Sequence, residues 1–147
     1  MIRKLRETDL PAVMRIWLDT NIEAHDFIAK TYWESNYDMV KGLLPDAEVF
    51  VYEADPKGEI LGFIGLVDDY VAGLFVKKTA QSQGIGKALL DHGKTLRNCL
   101  RLSVYQKNSR ALRFYRREQF AIQKEATDDR TGQTELVLAW KKQGRQD

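Results

Sequence analysis

Between an apolar run and a segment of helical periodicity, the chain carries Gln81-Ser82-Gln83-Gly84-Ile85-Gly86-Lys87. The run before it, Val71-Ala72-Gly73-Leu74-Phe75-Val76, reads as a strand. Beyond it, Ile85, Ala88, Leu89, His92 and Leu96 recur at helical steps over residues 85–97. Two glycines one residue apart at such a junction let backbone N–H groups approach a partner closely, because neither carries a Cβ. The partial positive charge of the helix N-terminus lies beside them, so the junction reads as an anion site, most simply for a phosphate. Two better-known phosphate loops fail on spacing. A Walker loop needs a glycine five positions before Gly86-Lys87 and a hydroxyl after it, but Gln81 and Ala88 stand there. A dinucleotide fingerprint needs a small third residue where Leu89 stands.

At 147 residues the chain reads as a single domain, 1–147, with enough length for a proper core. Its 44% hydrophobic and 30% charged content is that of an ordinary globular protein. A net charge of +2 argues against a nucleic-acid binder. Cys99, the one cysteine, excludes an internal disulfide and offers no metal-ligand spacing, so no metal is expected. The start Met1-Ile2-Arg3-Lys4 and the absence of a long apolar run point to no signal peptide, no membrane span and a cytoplasmic setting.

In order, residues 2–6 read as a strand. Thr8 or Asp9 then caps a helix that has Pro11 in its first turn and Leu10, Val13, Met14 and Trp17 on one face. A stretch without clean periodicity, 21–28, precedes a second helix over 31–43, with Tyr32, Asn36, Met39, Val40 and Leu43 on one side. Strands follow at 47–53, 59–67 and 71–76, the first pair joined by the turn Asp55-Pro56-Lys57-Gly58, giving an antiparallel meander. After the glycine loop and its helix come a short strand at 102–106 and a helix capped by Asn108 and running through 117. The short strand is expected to pair in parallel with the strand before the loop. A hairpin of 120–126 and 134–141 closes the chain, and 144–147 reads as a frayed tail.

Gln81, Gly84 and Gly86 resemble, in order, the acyl-CoA pyrophosphate loop of the GNAT N-acetyltransferases. That loop has Arg or Gln, two variable residues, Gly, one variable residue, then Gly or Ala. A second segment, Val104-Tyr105-Gln106-Lys107-Asn108-Ser109-Arg110-Ala111-Leu112-Arg113-Phe114-Tyr115, resembles the family's strand-to-helix segment, and the order of elements matches along nearly the whole chain. The resemblance implies an α/β (α+β) fold, a mixed central sheet of about seven strands flanked by about four helices. It implies acetyl-CoA as acetyl donor, a small-molecule or protein amine as acceptor, and direct attack in a ternary complex. By it, Leu74, Phe75, Val76, Gln81, Ser82, Gln83, Gly84, Ile85, Gly86, Lys87, Asn108, Ala111 and Tyr115 contact the donor. Tyr115 is then the general acid for the leaving thiolate, where the bland alternative is a half-buried core aromatic. Lys87 either reaches a phosphate or is a solvated helix residue. One departure is Gln119, where the family often has a glycine that ends the helix in a left-handed conformation.

Ala24-His25-Asp26-Phe27-Ile28, followed by Tyr32-Trp33, resembles a segment that shapes the acceptor site in small bacterial members of the family. His25, Phe27, Tyr32 and Trp33 are the substrate-side expectations. Glu23, His25, Asp26, Asp68 and Asp69 are candidates for the base that frees the amine. Cys99 is not expected to act as a nucleophile. A homodimer through the closing strands is expected, with no nucleic-acid or membrane partner. The rival to an enzyme is a non-catalytic acyl-CoA-binding regulatory domain on the same fold.

Overall fold

A computed structural model describes residues 1–54 and 58–143. Three residues of the expected turn, Asp55, Pro56 and Lys57, lie outside the described residues, as does the tail 144–147. Strand β1 (Ile2–Lys4) leads through a 3-10 turn into α1 (Leu10–Ala24) and α2 (Lys30–Leu43). The meander β2 (Glu48–Glu53), β3 (Ile60–Val67) and β4 (Tyr70–Val76) follows. Then come α3 (Ile85–Leu96), β5 (Cys99–Tyr105), α4 (Ser109–Arg117), β6 (Ala121–Thr127) and β7 (Thr134–Lys141). The strands form one mixed sheet in the order β1-β2-β3-β4-β5-β7-β6, in which, among the described residues, only β4 and β5 run parallel.

Strand alternation divides the core into two layers. Val49, Val51 and Phe63 face α1 and α2, where Val13, Met14, Trp17 and Trp33 cover them. Phe50, Ile64, Leu100, Leu102 and Val104 face the other side, covered by Leu89 and Leu90 of α3 and by Tyr115 of α4. Strands β2 and β3 are thus covered on both faces, and the crossover through α3 supplies the parallel pair.

Three local readings need correction. Asp9 does not cap α1 with its side chain. Its carboxylate instead accepts the Arg6 N–H at 2.7 Å and both terminal nitrogens of Arg3. Arg3 in turn reaches Glu53 at 2.6 Å, so this network ties β1 to β2 and to the start of α1. The inward side of α2 is only partly the expected one: Tyr32 and Val40 pack against the core, but Met39 and Leu43 are 51% and 58% exposed. Trp33 claims that side by packing edge-on against Trp17, and the large ring decides the helix rotation. Strand β5 begins at Cys99 rather than at 102, because Leu100, Leu102 and Val104 alternate into one layer.

Helix α4 ends in a left-handed conformation even without a glycine. Gln119 itself adopts φ +74°. Phe120 N–H bonds the Tyr115 carbonyl at 3.0 Å and Gln119 N–H bonds the Arg116 carbonyl at 3.2 Å, a Schellman ending. The rings of Tyr115 and Phe120 meet 5.5 Å apart and close the motif hydrophobically.

Candidate active site

The glycine loop is built to present unsatisfied N–H groups. Gly84 takes φ +82° as the residue before α3, and Ser82, a non-glycine, takes φ +64°. A left-handed serine is a backbone cost of the kind found at functional loops. The first bond inside α3 runs from Ala88 N–H to the Gly84 carbonyl, and no side chain caps the helix. The N–H groups of Ile85, Gly86 and Lys87 therefore have no intrahelical partner at the positive end of the helix dipole. A Cβ on Gly86 would meet nothing nearer than 3.6 Å. The fold does not demand a glycine there, whereas a ligand approaching the backbone does.

Arg110 frames this loop, and its role was missed in the sequence. Its guanidinium donates to Gln81 Oε1 at 2.8 Å and to Ser82 Oγ at 3.2 Å, while Gln81 Nε2 donates to the Val76 carbonyl at 3.0 Å. A cation thus stands beside the open N–H groups. Gln83 is exposed on the same loop. Lys87 turns away: its ammonium lies 3.0 Å from Glu118 and 3.3 Å from Asp91 on an exposed surface.

Next to the loop, β4 leaves β5. Val71 stands opposite Leu66 and Gly73 opposite Gly65, which makes Ala72 an extra, bulged residue. Bulges bend a strand, and here the parallel register reduces to the single pair Tyr70↔Arg101. Lys77 N–H bonds the Leu61 carbonyl at 2.7 Å, which fixes the parity of the ladder with β3. Odd-numbered residues pair with β3, so the backbone groups of Leu74 and Val76 turn toward the gap. Phe75 commits its backbone to β3 and packs its ring 5.3 Å from Phe63.

Across the gap, α4 begins at Asn108, whose Oδ1 accepts the Ala111 N–H at 3.2 Å. Tyr115, nearly two turns on, is 8% exposed and packs edge-on against Phe114 and Phe120. Among the described residues nothing hydrogen-bonds its hydroxyl. Burial pushes the phenol well above its ordinary value, and the nearby Tyr70 adds to this. It stays protonated across the physiological range, as a proton donor must.

The acceptor-side expectations converge on one aromatic cluster. His25 stacks on Trp33 at 5.1 Å and meets Phe27 at 5.6 Å and Tyr105 at 5.2 Å. Tyr32 packs against Trp33 at 5.0 Å, and the Lys107 ammonium sits 5.6 Å over Phe27. Burial lowers the His25 pKa, so the ring is neutral at pH 7; the bond to Asn21 opposes the shift only in part. Its Nδ1 lies 2.9 Å from the Asn21 carbonyl, which can only accept, so Nδ1 carries the proton and Nε2 accepts from Asn108 at 3.3 Å.

Two acidic residues border this cluster and were not singled out in the sequence. The Tyr105 hydroxyl donates to Asp128 Oδ2 at 2.6 Å, and the Arg130 N–H donates to Asp128 Oδ1 at 3.0 Å. Burial works against the Asp128 carboxylate, but these donors outweigh it and hold it below the usual carboxylate range. Glu135 lies directly across from Tyr105 in the β5–β7 ladder and is half-buried. Burial raises its pKa, and the neighbouring Asp128 adds to the rise.

The earlier base candidates fare differently. Asp68 and Asp69 form the turn that opens β4, seven residues from Val76 and at the far end of the gap, and Asp69 is held by Arg101 at 3.0 Å. Strand rise puts that turn roughly 20 Å from the loop. Glu23 lies within α1 and pairs with Lys78 at 3.2 Å, while Asp26 is exposed. Cys99 opens β5 with its Sγ 3.5 Å from Asp69, at the same far end.

Residues 45–122 match the family model described as an acetyltransferase (GNAT) domain. The peptidyl-lysine N-acetyltransferase YiaC of Escherichia coli K12 is 34% identical over 142 residues, covering 95% of this chain and 96% of the relative. The peptidyl-lysine N-acetyltransferase YjaB of Salmonella typhimurium is 31% identical, covering 82% and 83%. The solution structure of apo-form YjaB from Escherichia coli superposes with a TM-score of 0.84 at 26% identity, over 95% of each chain. A GNAT acetyltransferase from Bacillus cereus, 16% identical, shares the fold with a TM-score of 0.74 over 98% of each chain.

Proposed function

The chain belongs to the GNAT family of N-acetyltransferases, and from that premise we propose that it transfers an acetyl group from acetyl-CoA to the side-chain amine of a lysine in a protein, residues 1–147 working as one domain. The observation that carries the donor half is the parting of β4 from β5 between the open N–H loop and Tyr115. Acetyl-CoA supplies an acetyl group already activated as a thioester. The N–H groups of Ile85, Gly86 and Lys87, with Gly84 and the Arg110 guanidinium, suit its pyrophosphate. Gln81, Ser82 and Gln83 shape that loop. The backbone of Leu74 and Val76 suits the pantetheine as an added strand, with Phe75 as wall and Asn108 and Ala111 at the opposite edge. The Val76 N–H, turned toward the gap, is placed to polarise a carbonyl there. Tyr115 holds the proton that a departing thiolate requires.

The acceptor half rests on the relatives' activity and on charge. Phe27, Tyr32, Trp33 and Tyr105 offer apolar faces for the alkyl part of a lysine, and Asp128 and Glu135 favour its ammonium. A non-catalytic acyl-CoA sensor would have no use for a phenol whose hydroxyl is left without a protein partner beside the gap, and the matched relatives are enzymes. The cytoplasm and a homodimer joined through the exposed β6 edge complete the proposal.

The test is incubation with acetyl-CoA and a library of lysine-containing proteins or peptides, read by mass spectrometry. Acetylated lysine that depends on enzyme and on acetyl-CoA is expected. Transfer confined to peptide N-termini or to small amines would contradict the lysine assignment.

A further inference from the structure

We propose that Glu135 is the base that receives the proton of the incoming ammonium, a role that rests on the acetyltransferase reading and fills the step it leaves unassigned. Tyr105 and Glu135 are directly opposed in an antiparallel ladder, so their side chains share one face of the sheet. Tyr105 shows which face that is. Its ring meets His25 and Phe27, on the side of α1 and α2. Leu136 and Leu138 alternate with Glu135 into the opposite layer, under α3 and α4. Glu135 therefore stands at the aromatic cluster, on the side of the sheet opposite Tyr115.

The two carboxylates at this cluster differ in what they have left to give. Asp128 spends its oxygens on Tyr105 and on the Arg130 N–H. Glu135, half-buried, takes no hydrogen bond and no ion pair among the described residues. Charged or titratable groups around it are Tyr105 on β5, Asp128 and Arg130 on the β6–β7 turn, and His25 and Lys107 at the edge of the cluster. Burial and Asp128 raise the Glu135 pKa while the donors hold Asp128 low. Pairs of carboxyls driven apart in this way sort into an ionised, positioning member and a proton-accepting member.

The step balances as follows. The lysine ammonium gives one proton to the Glu135 carboxylate and becomes a neutral amine. The nitrogen lone pair forms the C–N bond to the acetyl carbon as the C–S bond breaks. The departing sulfur takes a proton from Tyr115, and the second nitrogen proton restores the Tyr115 phenol. Glu135 returns its proton to solvent.

Glu135→Gln keeps the shape and removes the base. At neutral pH its kcat/KM for a lysine peptide is expected to fall about 10²–10⁴-fold with KM for acetyl-CoA unchanged. The deficit should narrow as pH rises toward the lysine's own ionisation, and Glu135→Asp should recover part of the rate. A second readout needs no turnover. In calorimetry of the free protein, a lysine peptide should bind more weakly to Glu135→Gln than to wild type, while its acetyl-lysine counterpart binds both alike. Wild-type rate in Glu135→Gln, with the same pH profile and the same peptide affinity, would overturn the assignment. Failure of the wild-type protein to bind acetyl-CoA would overturn it together with the reading beneath it.

Discussion

The side-chain amide of Asn108 stands 3.3 Å from Nε2 of His25, although 83 residues separate them in the chain. The same amide caps α4 through Ala111, and His25 is anchored in turn to the Asn21 carbonyl at the end of α1. The loop after α1 and the helix that bears Tyr115 thus share one neutral hydrogen-bond chain. Protonation of His25 would put a donor where an acceptor is needed.

This arrangement sets a pH dependence of stability. The folded-state pKa of His25 lies below its ordinary value of 6.5. Between those two values the unfolded chain binds a proton that the folded chain refuses, so stability falls as pH falls through 6.5 and levels off below the folded value. Thermal unfolding measured across that range should show this slope, and His25→Phe should flatten it. An unchanged slope in the variant would assign it to other groups.

Asn108→Ala removes the cap and leaves His25 Nε2 without its donor. A loss of about 1 kcal/mol is expected from the cap. Denaturant unfolding measures it, and a loss of acetyl-CoA affinity should accompany it.

Gly84 and Gly86 should separate folding from binding. Gly86→Ala adds a methyl that nothing within 3.6 Å opposes, so stability should hold or rise by about 0.5 kcal/mol. Acetyl-CoA affinity should nevertheless fall, because the methyl occupies the approach to the backbone. At Gly84 the positive φ makes alanine costly by about 1 kcal/mol, and stability itself should drop. Equal affinity in wild type and Gly86→Ala would remove the loop from the binding site.

Gln119→Gly relieves a left-handed glutamine on the exposed end of α4. Stability should rise by about 1 kcal/mol with no change in rate. A destabilised variant would mean that the Schellman ending is not what holds this turn.

What was legible in the sequence was local. The glycine turn that opens α3 and the Asn108 cap of α4 each lie in short segments whose residue types and spacing give the local structure away. Gln119 looked like a departure, yet the chain holds the left-handed ending with hydrogen bonds and the Tyr115–Phe120 contact. What stayed hidden depended on register and distance. Nothing local says that Glu135 falls opposite Tyr105, or that Asn108 meets His25. Arg110 carries no local sign of its place at the loop, because its partners Gln81 and Ser82 lie 29 and 28 residues away. The face of α2 was legible at Tyr32 and Val40 but not at Met39 and Leu43, because the inward side follows the ring of Trp33, which reaches both Trp17 and His25.

Tyr115 offers a clean separation of chemistry from structure. Its hydroxyl has no partner to lose among the described residues, so Tyr115→Phe should unfold at the wild-type temperature. Its kcat should fall about 10²–10⁴-fold with KM for acetyl-CoA unchanged. A wild-type kcat would return Tyr115 to the core.

The most direct test of the donor site is calorimetric titration with acetyl-CoA of the wild-type protein and of a Gly84→Trp/Gly86→Trp variant, with free CoA as comparison. Saturable binding of acetyl-CoA to the wild type, abolished in the doubly substituted loop, is the expected result. No heat of binding to the wild type at millimolar acetyl-CoA would contradict the donor site, and with it the roles assigned to Tyr115 and Glu135.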